Sequence, residues 1–150
     1  MPDRRKALAF DVDADTLAAV RQALPGWEVE AVAGATPGSL SREWNPVAAD
    51  LLVVGARDPA AATVGLCRSL RCQVGRSHTA LIALALPGQE ALVGAAAEAG
   101  ADGCLFLPVR APDLAALAAR AIKDDRRGRH ARDRARARLE ALWRDDGGEG

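Results

Sequence analysis

Five short apolar runs punctuate the chain, and turn residues or helix-like spacing separate each from the next. The central run, Leu51-Leu52-Val53-Val54, has no polar alternation and ends on Gly55, ahead of Ala56-Arg57-Asp58-Pro59. A strand that is apolar on both sides belongs inside a parallel sheet, covered above and below by helices. Ala80 to Leu86 has the same character and is broken by Pro87-Gly88. Ala7-Leu8-Ala9-Phe10 is a shorter run, closed by the acidic stretch Asp11-Val12-Asp13-Ala14-Asp15. Trp27 to Val32 alternates instead, with Trp27, Val29 and Ala31 set against Glu28 and Glu30. That pattern predicts a sheet edge with one wetter face. Asp102 to Leu107, ended by Pro108, completes the set.

The intervening segments have the three-and-four spacing of helices. Leu17, Val20 and Leu24 share one face behind a cap supplied by Asp13 or Asp15, and Pro25-Gly26 stops the helix. A short helix is predicted over Ser39 to Trp44, before Pro46. Pro59 opens a longer one to about Val74, with Leu66 and Leu70 inward and Arg68 and Arg71 outward. Gln89 to Ala99 is rich in alanine, interrupted by Leu92, Val93, Gly94 and Glu98, with Gly100 placed for a left-handed cap. Pro112 begins the last domain helix, with Leu114, Leu117 and Ile122 as its buried stripe. Strands and helices alternating in this way predict an α/β fold: a five-stranded, parallel, doubly wound sheet with helices on both faces.

Over about residues 5 to 123 the chain resembles the receiver domain of two-component response regulators. Asp11 closes the first strand, and the helix after it ends Arg21-Gln22-Ala23-Leu24. Pro59 lies four residues past Gly55, where receivers carry a proline after the phosphorylated aspartate. Gly65-Leu66-Cys67-Arg68-Ser69-Leu70-Arg71 looks like the family's next helix. Ala99-Gly100-Ala101-Asp102-Gly103-Cys104-Leu105-Phe106-Leu107-Pro108 looks like its run into a lysine-proline pair. The resemblance implies a flavodoxin-like fold and a set of pocket positions. Paired acids would help hold Mg²⁺ at Asp11 and Val12, the phosphoryl-accepting aspartate would fall at Gly55, a hydroxyl at Ala85 and a lysine at Leu107. The family's aromatic switch residue would fall at Cys104. Of these positions only Asp11 keeps the family's residue type. Asp58 and Asp13 are poor substitutes, since a shift of two or three residues along extended backbone is about 7–10 Å. Asp13 is better explained as a helix cap, and a single carboxylate is a poor cage for Mg²⁺. The expectation is a degenerate receiver with no cofactor, no metal and no catalytic residues, not an enzyme.

Composition changes this picture little. The formal net charge of the 150 residues is zero, so long-range steering toward nucleic acid is not indicated. Three cysteines, Cys67, Cys72 and Cys104, lack metal-ligand spacing. With no long apolar stretch and no apolar core in Met1 to Lys6, the expectation is a cytoplasmic protein without a membrane partner. Charge placement matters more. Lys123 to Arg144 holds nine basic and four acidic residues, a local charge of about +5. Ala131, Ala135, Leu139 and Leu142 form a stripe there, with Leu139, Leu142 and Trp143 as candidate partner-binding anchors. The organisation expected is a domain over 5–123, an arginine-rich helical extension over 124–144 and a disordered tail over 145–150. The extension reads first as a solvated continuation of the last helix, then as a packing element, and last as a non-specific nucleic-acid contact, a partner the sequence disfavours.

The leading functional expectation is a pseudo-receiver: a phosphorylation-independent protein-interaction module in two-component or phosphorelay signalling. Its partner would be a protein such as a kinase or an output protein, and a homodimer remains open. One alternative is a basic-tailed regulator that associates with nucleic acid. Another is a small-molecule-binding flavodoxin-like domain, which the acidic first loop disfavours because it would repel phosphate. The two histidines, His78 and His130, complete no acid–base constellation.

Overall fold

The computed structural model describes residues 5–33, 49–74 and 79–122. In chain order these form β1 (Lys6–Phe10), α1 (Ala14–Ala23), β2 (Glu28–Val32), β3 (Leu51–Val54), α2 (Ala60–Val74), β4 (Ala80–Ala85), α3 (Ala91–Ala99) and β5 (Gly103–Phe106). A last helix, α4, covers residues 111–122. The five strands make one parallel sheet in the order β2-β1-β3-β4-β5. This is the fold class expected from the sequence. The predicted Ser39 to Trp44 helix, the arginine-rich extension with Leu139, Leu142 and Trp143, and the tail lie outside the described residues.

Side chains alternate along each strand, so the sheet divides the interior into two cores. Leu8, Phe10, Leu52, Val54, Leu81 and Ala83 face α2 and α3, where Leu66, Leu70, Leu92 and Ala96 meet them. Ala7, Ala9, Leu51, Val53, Ile82 and Leu84 face α1 and α4, against Val20, Leu24, Leu114 and Ala118. All four residues of β3 are fully buried, as a strand covered on both sides must be. Each Leu or Val buried this way stabilises the fold by about 1.5–3 kcal/mol. β2 is an edge strand: Val29 is half-buried on the α1–α4 side, Val32 is buried on the opposite side beside Phe10, and Ala31 is exposed.

The caps settle what sequence spacing left open. Asp13, rather than Asp15, caps α1: its Oδ1 accepts from the Thr16 N–H at 2.7 Å, which holds its carboxyl below the usual carboxylate range. Gly100 adopts φ 110° at the end of α3, a conformation a side chain would strain. The helix α3 begins at Ala91 and not at Gln89, because the Gln89 side chain folds back to accept from the Leu86 N–H at 2.8 Å.

Arg71 departs from expectation. It does not point outward like Arg68; its side chain is only 12% exposed. Nε donates to the Gly100 carbonyl at 2.9 Å, one terminal nitrogen to the Thr79 carbonyl at 3.0 Å, and the other to Asp102 Oδ2 at 2.9 Å. That same Asp102 oxygen accepts from the Leu81 N–H at 2.8 Å. Gly100 allows this approach, since a Cβ there would stand 2.8 Å from Arg71 Cβ. One guanidinium therefore fastens the entries to β4 and β5 to the end of α3. Arg71→Ala is expected to cost about 2–3 kcal/mol in denaturant unfolding, because it takes the donor from the Thr79 and Gly100 carbonyls and removes a largely buried side chain. Arg68→Ala, on the exposed side of the same helix, is expected to stay within about 0.5 kcal/mol of wild type.

Candidate functional site

In a parallel sheet flanked by helices, chemistry collects where the strands end at their carboxyl edge. Backbone hydrogen bonds bring the sequence-predicted positions together there. The Asp11 N–H donates to the Val32 carbonyl at 2.8 Å, the Gly55 N–H to the Phe10 carbonyl at 2.8 Å, and the Leu107 N–H to the Ala85 carbonyl at 2.8 Å. Asp11, Gly55, Ala85 and Leu107 thus terminate four neighbouring strands. Val12 packs against the core beneath α1 and α4. Ala85 is fully buried, and Leu107 is half-buried.

Gly55 sits hard against the end of β1. A Cβ added there would lie 2.8 Å from both the Phe10 carbonyl oxygen and the Asp11 carbonyl carbon, and closer still to the Asp11 carbonyl oxygen. The obstruction is backbone, so no rotamer change relieves it. Asp11 itself takes φ 54°, a left-handed conformation that Asp tolerates better than most residues. The chain turns over the tip of β3 at this point.

The Asp11 carboxylate is paired with Arg57, two residues beyond Gly55, through Oδ2 and a terminal guanidinium nitrogen. Both side chains are part-buried, at 27% and 20% exposed, so the pair is screened less than a surface one. The backbone of Arg57 is engaged as well. Its N–H donates to Thr63 Oγ1 at 3.0 Å, and its carbonyl accepts from Gln89 Nε2 at 2.9 Å. Sequence reasoning weighed Asp58 and Asp13 as possible replacements near the pocket and passed over Arg57. Asp58 is exposed, and Asp13 is committed to its cap. A cation two residues from Gly55 was the available signal. It needed the register β1 against β3, with Phe10 opposite Val54, to become meaningful.

A depression of about 290 Å³ lies beside this edge, lined by Asp13, Asp15, Thr16, Pro87, Leu107, Pro108 and Val109. Its walls are acidic on the α1 side and apolar on the other. Among the described residues, no group of three or more His, Cys, Asp or Glu is arranged to hold a metal ion. Cys104 lies on β5, half-buried against the core beneath α2 and α3, with Cys67 in the same cluster. Burial pushes the Cys67 thiol up to about 12, with Cys104 adding to the rise, and burial also pushes Cys104 up.

No family model matches the chain, and no curated protein matches it. Solved structures do. A CheY-like response regulator receiver domain protein from Methanospirillum hungatei is 20% identical with a TM-score of 0.65, covering 84% of this chain and 99% of its own. A response regulator receiver domain protein from Clostridium thermocellum is 20% identical with a TM-score of 0.61, covering 81% and 97%. A response regulator from Thermotoga maritima is 18% identical with a TM-score of 0.63, covering 81% and 99%. At these identities the likeness is one of fold, and the fold is the flavodoxin-like receiver fold.

Gly55→Ala is expected to destabilise the protein by about 1–3 kcal/mol through overpacking against fixed backbone. Gly65→Ala, in α2 with nothing within 4 Å of the added carbon, is expected to raise stability by about 1 kcal/mol; paired chemical denaturation curves check both signs. In alkylation at pH 8, exposed Cys72 is expected to react while Cys67 stays unmodified until the chain unfolds, since a thiol held near 12 is almost wholly protonated there. Peptide mass spectrometry reads the difference.

Proposed function

We propose that this chain is a receiver-fold protein-interaction module in signal transduction that works without phosphorylation. The observation that carries the reading is the tip of β3. The residue there has no side chain, and the Asp11 backbone occupies the place a side chain would need. A phosphoryl-accepting carboxylate has neither an atom nor room at that position. The neighbouring positions support the same view. Ala85 offers no hydroxyl and Leu107 no cation, and the one surviving acid, Asp11, is neutralised by Arg57.

These residues do not fit Mg²⁺. A hard cation that dehydrates reluctantly wants several fixed oxygens, and here one carboxylate already carries a guanidinium. The position of Cys104, a small thiol where the family's aromatic switch would stand, further supports a module without that coupling element.

What remains for such a fold is its surface. Val93 on α3 and Phe106 on β5 are the exposed large hydrophobics among the described residues, at 43% and 39%. They sit on adjoining elements at the β5 end of the sheet, the face that the resemblance associates with partner docking. Apolar side chains left in solvent on adjoining elements suit a protein partner. The partner would be a signalling protein such as a kinase or an output protein, and no catalytic step is assigned to this chain.

Incubation of the full chain with acetyl phosphate and millimolar Mg²⁺ tests the reading. No aspartyl phosphate is expected by intact-mass spectrometry, and the melting temperature is expected not to move with Mg²⁺. A phosphoryl group recovered on a residue that ends a strand would overturn it.

A further inference from the structure

Arg57 joins all three loops at the carboxyl edge that border β3. Its guanidinium holds Asp11, at the start of the β1–α1 loop. Its own N–H, in the β3–α2 loop, donates to the fully buried Thr63 of α2 at 3.0 Å. Its carbonyl accepts from Gln89 Nε2 at 2.9 Å, across to the β4–α3 loop. Gln89 then uses its remaining oxygen to accept from the Leu86 N–H at 2.8 Å, closing that loop on itself. The next residue, Glu90, stands at the cap position of α3 and makes no side-chain capping bond. The entry to α3 is therefore held by Gln89, and through Gln89 by Arg57.

We propose that Arg57 and Gln89 are positioning residues that fix α3, and with it the exposed Val93, in a single arrangement: a standing strap where a switchable protein would need two. The inference rests on the module reading above and adds how its docking face is set. Switching requires a second arrangement within a few kcal/mol of the first. Here a charge pair, three hydrogen bonds and the backbone contact at Gly55 all favour the same one, and they form one connected path from Asp11 to α3. The path runs through atoms in contact, so breaking a link should loosen everything downstream of it.

Hydrogen exchange on the full chain tests this, with wild type, Arg57→Gln and Gln89→Glu compared. The Glu variant still accepts from the Leu86 N–H but sets a carboxylate against the Arg57 carbonyl, so it cuts only the relay. In both variants amides over residues 86–93 are expected to exchange roughly tenfold faster, as losing one or two hydrogen bonds gives. Amides around Arg71, Thr79 and Asp102 are expected to keep wild-type rates. Unchanged exchange over 86–93, or a uniform rise across the whole domain, would overturn the strap. Phosphoryl transfer to the wild-type chain would instead remove the module reading and leave the exchange result standing, so the two failures are distinguishable.

Discussion

The hydrogen bond from the Gly55 amide to the Phe10 carbonyl marks the place where the whole arrangement is tightest. β1 and β3 pair in register up to Phe10 and Val54, and the chain then bends at Asp11 across the end of its neighbour. Only a residue without a side chain lets the two backbones approach so closely. Because β3 is buried on both faces, it cannot move aside to make room, and because β1 lies between β2 and β3, neither can its partner. The rigidity of the central strands is thus transferred to the loops that follow them.

Each end of the sheet is then tied by an arginine, with similar chemistry and different consequences. At the amino edge Arg71 satisfies two carbonyls and a carboxylate, and that carboxylate also receives a strand amide. The cluster joins helix to strand and stabilises the domain as such. At the carboxyl edge Arg57 reaches the Asp11 carboxylate with its side chain, and with its backbone it reaches α2 through Thr63 and one neighbouring loop through Gln89. There the groups joined are loops, whose geometry decides what a surface presents.

The sheet was legible in the sequence because period and burial speak directly. Leu51 to Val54 and Ala80 to Ala85 are continuous apolar runs, and both are fully buried. The candidate site was legible only as a set of positions. The receiver resemblance put Asp11, Gly55, Ala85 and Leu107 at strand ends, but it carried no information on what lay between them. Arg57 and Asp11 are 46 residues apart, and Arg71 and Gly100 are 29 apart. Long side chains bridging such distances obey no local period, so Arg71 looked like a twin of Arg68 and Arg57 looked like loop. Asp13 and Asp15 were equally good caps on paper, and only the Thr16 bond separates them.

The parallel sheet also decides on which side the described stretch begins and ends. β1 enters at the edge opposite the Asp11–Arg57 pair, and α4, running back along the sheet, reaches residue 122 toward that same far edge. Both ends of the described stretch therefore lie on the side that Arg71 secures, across the sheet from the rim where Asp11, Gly55, Ala85 and Leu107 gather.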